Sequence, residues 1–165
     1  NEALAHDPNN RDTLCTIGLF ALTDFDEKKA VKYYTMANNK QSTQSSKVLA
    51  YFAHVQNGEK EKGEAILNEY LAENKDSKMV EYVLGRCSYE DLIKEMKPDT
   101  IVNTKALVGW DLMLRGKRSE SSEKFKEVTN HIETNGLKWY HGIFYLMAKA
   151  GYAHNQGAFN KEGEI

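Results

Sequence analysis

The chain has 165 residues, enough for one domain with a sizeable core. Hydrophobic residues make up 41% and charged residues 28%, the balance of a globular chain, and 22 basic against 24 acidic residues leave a net charge of −2. The charges are interleaved, which excludes nucleic acid as the main partner, because phosphate binding needs a clustered basic excess. No apolar run approaches the roughly 18 residues that would span a bilayer.

The opening stretch, Asn1 to Asn10, reads as the tail of a helix followed by a stop, since Pro8 cannot continue a helix. It does not read as a signal peptide. The expectation is a fragment of a longer chain, with further repeats or a lipid anchor upstream. Five short signatures then recur: Ile17-Gly18, Ala50-Tyr51, Leu84-Gly85, Val108-Gly109 and His141-Gly142. Their second residues are separated by 33, 34, 24 and 33 positions. A period near 34 marks stacked helix-turn-helix repeats of the tetratricopeptide type, whose apolar faces are too wide to bury singly.

The first unit spans about residues 11–44. Leu14, Ile17, Gly18 and Ala21 share one helix face, and after the turn at 23–26 Ala30, Tyr34 and Ala37 form the face of a second helix. Gly18 and Ala30 are expected where the two helices approach most closely. The second unit has predicted helices over 47–56 and 60–72, with Asn57-Gly58 as the turn and Gly63, Leu67 and Tyr70 on the packing face. The third unit is about ten residues short. Met79–Leu84 is helical and closed by Gly85, Ser88 caps a helix bearing Leu92, Ile93 and Met96, and Pro98 ends it. A kink in the stack is expected there.

In the fourth unit Asn103 or Thr104 is expected to cap a helix with Leu107, Gly109, Leu112 and Met113. Arg115-Gly116-Lys117 turns, and Ser119 or Ser122 caps a partner helix carrying Ser121, Phe125 and Val128, stopped by Asn135-Gly136. A final helix over 138–154 carries Trp139, Gly142, Tyr145, Leu146 and Ala148, with no partner helix after it. The pattern predicts an all-α, right-handed solenoid of antiparallel helix pairs. It forms one domain over 1–155, with a shortened repeat near 78–101 and a polar tail over 156–165.

The stretch from Val80 to Met147 resembles the NlpI family of bacterial outer-membrane tetratricopeptide lipoproteins. The matching residues are Val80-Glu81-Tyr82-Val83-Leu84-Gly85, Ser88 with Leu92, Lys97 with Asp99, Asn103-Thr104, and Ser121 through Phe125-Lys126. The resemblance implies a periplasmic adaptor that docks envelope proteases and cell-wall enzymes, and it carries no catalytic residues. Cys15 sits inside a helix pattern, so a lipid anchor would lie upstream. Without that resemblance the compartment reads as cytoplasmic.

No catalytic, cofactor-binding or metal-binding constellation is readable. His6, His54, His131, His141 and His154 show no i, i+4 pair and no His-Glu-x-x-His. Glu90, Asp91 and Glu95 lie at a helix start, where negative charge is favourable anyway. Cys15 and Cys87 are expected as buried free thiols. Lys117-Arg118 reads as a charged turn. The informative feature is an apolar stripe on the first helix of each pair: Leu19, Leu22 and Thr23; Phe52, Val55 and Gln56; Trp110, Met113 and Leu114; Ile143, Leu146 and Met147. One reading makes it a concave groove for a peptide or amphipathic helix, with Phe52 and Trp110 as anchors. The other makes it buried packing or a homodimer interface. The predicted function is a protein-interaction scaffold, not an enzyme, with an oligomerisation module as the alternative.

Overall fold

The structure, a computed structural model, describes residues 10–94, 96–138 and 141–157, apart from the side chain of Asp99. His6, Pro8, Glu95, Trp139 and the tail beyond Gly157 lie outside the described residues. Among the described residues there are nine helices and no strand. They are α1 (Arg11–Thr23), α2 (Glu27–Lys40), α3 (Gln44–Gln56), α4 (Lys60–Glu73), α5 (Lys78–Val83), α6 (Tyr89–Ile93), α7 (Pro98–Leu114), α8 (Arg118–Asn135) and α9 (Gly142–Asn155). Contacts divide the chain into two compact units at Leu92/Ile93, within the shortened repeat.

In the first unit α1 packs on α2, α2 on α3 and α3 on α4, while α3 also reaches α1 and α5. Local chemistry sets the helix starts. Asn10 accepts from the Asp12 amide at 2.8 Å, and Asp26 accepts from the Lys29 amide at 3.2 Å. Thr43 and Ser46 form a reciprocal capping box, so α3 begins at Gln44, a turn earlier than its apolar pattern. Ser88 and Asp91 do the same for α6, with the Asp91 amide donating to Ser88 Oγ at 3.0 Å. The α3–α4 turn uses Gly58 at φ 77°, and the α1–α2 turn places Phe25 at φ 57°, a region costly for a side chain.

Small residues fix the crossings. A Cβ on Gly18 would lie 3.2 Å from the Tyr34 ring, which is fully buried. The second pair uses the inverse arrangement. The ring is Tyr51 on α3 and the bare position is Gly63 on α4, where a Cβ would come within 2.9 Å of that ring.

In the second unit α7, α8 and α9 pack mutually. Phe125 of α8 is fully buried and meets Trp110 edge to face at 6.3 Å. A Cβ on Gly109 would approach its ring to 2.6 Å, and one on Gly151 would press on the same ring from α9. Gly142 faces open space, and it is Gly151 that makes the close approach in the last helix. Ser121 Oγ donates to the Gly109 carbonyl at 2.8 Å, and Asn155 Nδ2 donates to Ser121 and Ser122 at 3.0 and 3.1 Å.

Two expected caps differ from those observed. The helix of the fourth unit starts at Pro98, not at Asn103 or Thr104, because proline suits a first turn whose amide needs no partner. Asn103 and Thr104 are interior, and Thr104 Oγ1 instead lies 3.4 Å from Met96 Sδ. Likewise Lys117 occupies the N-cap of α8 without a side-chain cap, and Ser122 serves Asn155 rather than the helix start.

Because the Phe125 ring fills the space beside Gly151, Gly151→Ala should destabilise the chain by about 1–3 kcal/mol, and Phe125→Leu should recover part of that loss in the double variant. Urea unfolding of the two singles and the double checks it. Simple additivity would show that the two sites do not touch.

Candidate functional site

The apolar stripe divides sharply by burial. Leu22, Phe52 and Trp110 are fully buried, Leu19 is 2% exposed and Met113 8%. Val55, Leu146 and Leu114 are half-buried, and Met147 is fully buried. Ile143 stands out at 42% exposed. Thr23 is buried and its hydroxyl donates to the Leu19 and Phe20 carbonyls. Gln56 is half-buried, and its amide atoms have no hydrogen-bond partner.

The expected anchors thus belong to the cores. Phe52 packs beside Tyr51, with ring centroids 5.8 Å apart, on a helix whose residues are buried without a break from Val48 to His54. Four other helices touch α3, which leaves it little free face. Trp110 lies in a similar run, Ala106 to Met113, under α8 and α9.

Among the described residues the large apolar side chains that stand most exposed are Phe20 at 52%, Leu137 at 60% and Ile143 at 42%. Phe20 lies off the Leu14–Gly18–Ala21 face, a signal already present in the helical spacing. Leu137 follows Gly136 in the loop before α9, and no periodicity marks it.

Titratable groups form structural contacts. His54, 8% exposed, sets Nδ1 3.0 Å from Glu59 Oε2. Glu59 is held down to about 2, chiefly by its hydrogen bond with Lys62, then by those with Asn57 and His54. His131 and His141 meet across helices with ring centroids 6.4 Å apart, although no i, i+4 spacing links them. His141 is buried, its Nδ1 bonded to Asn103 Oδ1 at 2.8 Å. Among the described residues no three His, Cys, Asp or Glu side chains gather as a metal site would require. Asp91 serves Ser88, as above, and Glu90 is exposed. Cys15 and Cys87 are free but half-buried rather than buried. Burial raises both thiols, with Arg11 pulling Cys15 back and Lys78 pulling Cys87 back.

Two surface clefts are polar. One of about 450 Å³ is lined by Arg118, Ser119, Ser122, Glu123, Lys126, Asn155 and Gln156. The other, about 370 Å³, runs along Gln44, Tyr70, Glu73 to Asp76 and Ser77. Neither brings an activated nucleophile to a general base, the arrangement that group transfer demands. No helix of the described residues is long and apolar enough to cross a membrane. No family model, curated protein or solved structure matches the chain.

Trp110 fills core volume beside Phe125, so Trp110→Ala should cost about 3–5 kcal/mol of stability. Chemical denaturation followed by circular dichroism measures this. A variant with unchanged stability would return Trp110 to a surface role.

Proposed function

We propose that this chain is a protein-interaction scaffold built from tetratricopeptide-like helix pairs in a right-handed stack, with no chemistry of its own. The supporting observation is a set of side-chain bonds between residues one repeat apart. Arg11 Nη2 donates to Thr43 Oγ1 at 3.0 Å across 32 positions, and Ser77 Oγ donates to Gln44 Oε1 at 2.6 Å across 33. Asn155 reaches Ser121 and Ser122 across 34 and 33. The first two bonds tie the N-terminal ends of successive first helices at the interval of the apolar signatures, which supports stacking of repeated hairpins, while the third joins the C-terminal end of α9 to the first turn of α8.

The partner is a protein segment, and α9 offers the contact. Ile143 is the exposed member of the stripe, with Leu146 half-buried one turn on and Leu137 exposed in the preceding loop. Apolar side chains held open on a rigid helix are favourable to cover. The narrower form of the proposal, an NlpI-like adaptor of the bacterial envelope, rests on the Val80–Gly85 and Ser88 pattern.

Panning a phage-displayed peptide library on the chain tests the scaffold reading. Selected peptides should carry apolar residues, and Ile143→Lys should weaken them by roughly 2 kcal/mol or more with the fold retained. Failure to select any peptide would count against the proposal. A stable dimer in light scattering that Ile143→Lys converts to a folded monomer would replace it with self-association.

A further inference from the structure

Asp111 is a charged side chain that the fold takes out of water, at 1% exposed. It lies in the last turn of α7, four residues before the C-cap Arg115. Two physical effects oppose its charge there. Burial strips the carboxylate of hydration, and the C-terminal end of a helix is the negative end of its dipole. Against them stands Arg115, whose Nε is 2.8 Å from Asp111 Oδ2. The arginine side chain is 41% exposed, so water weakens the attraction. Lys117, in the turn beyond, is the other charge acting on Asp111. The charges that act on Asp111 most strongly, Arg115 and Lys117, both follow it in the chain.

We propose that the turn joining α7 to α8 is a proton-operated switch: Asp111 takes up a proton as the surroundings pass from neutral to mildly acid, and the ion pair with Arg115 is given up. Burial, the largest influence, pushes the Asp111 carboxyl from its ordinary 3.8 up to about 6, while Arg115 and Lys117 pull it back. The sign follows directly. A carboxyl raised by folding contributes stability that is complete below its unfolded value and is lost as pH rises through about 6. Proton uptake also changes the surface. The segment 115–118 carries Arg115, Lys117 and Arg118, and neutralising Asp111 raises the net charge of this corner by one unit. A site whose charge changes over this interval responds to acidification without any histidine.

Carbon-detected NMR of the Asp111 carboxyl in the full chain, titrated from neutral to acid, should give a midpoint near 6. Urea unfolding of the wild type and Asp111→Asn adds a second readout. The wild-type folding equilibrium, taken relative to Asp111→Asn, should be about tenfold more favourable at pH ~5 than at pH ~7.5. Arg115→Gln should raise the carboxyl midpoint further, because it removes the charge that holds the proton off. A wild-type midpoint below about 4.5, in the range of an ordinary carboxyl, would overturn the switch. So would an Asp111→Asn variant that kept the full pH dependence of the wild type. If Asp111→Asn fails to fold, the midpoints of the wild type and Arg115→Gln decide the matter alone.

Discussion

The fold depends on aromatic rings laid against bare backbone. At four crossings one helix has no side chain, and the space so left is filled by a flat ring from its neighbour. Tyr34 covers Gly18, Tyr51 covers Gly63, and Phe125 is held between Gly109 and Gly151. Each ring buries a large apolar area, and each fixes the depth at which one helix beds into the next. Polar contacts then set the rotation. Ser121 binds the Gly109 carbonyl, and Asn155 holds Ser121 in turn. Bulk at any of these glycines would drive the helices apart and loosen bonds that lie some distance from the substitution.

Much of this framework was legible in the sequence because crossings recur at a fixed interval. Gly18 with Tyr34 and Gly109 with Phe125 fall where the period places them. The helices of the second pair lie within a turn of their predicted bounds, and the turn of the first pair falls where the sequence places it. Gly151 was not legible, because it sits nine residues beyond the signature glycine, where α9 meets Phe125 from another side. The start of α7 was misplaced for a related reason. Asn103 and Thr104 are good capping residues, but Asn103 is used by buried His141, and Pro98 was already suited to begin the helix.

The candidate site was less legible than the fold. Assigning one side of each first helix to a groove assumes that this side is left uncovered. α3 is instead touched by four helices, and α7 by two that pack on each other, so Phe52 and Trp110 became core. Periodicity counts apolar positions but does not count how many neighbours claim them. The meeting of His131 and His141 was hidden likewise, since it arises between helices rather than along one. A composition rich in charge on most helices also disguises Asp111, which looks like any other surface carboxylate until its burial is known.

The local character of the contacts has a kinetic consequence. Every substantial helix contact joins elements that are one or two places apart in the chain. The polypeptide therefore closes short loops and seldom has to bring distant segments together, the situation in which folding is fast. During synthesis, α1 and α2 can dock once α2 has left the ribosome, and α3 can then add to a finished surface. Phe125 is the exception. Its ring meets Gly109 early, but Gly151 arrives some 26 residues later. Until α9 has been made, the nascent chain carries one face of that ring bare, and the second unit buries it only once α9 has packed on α8.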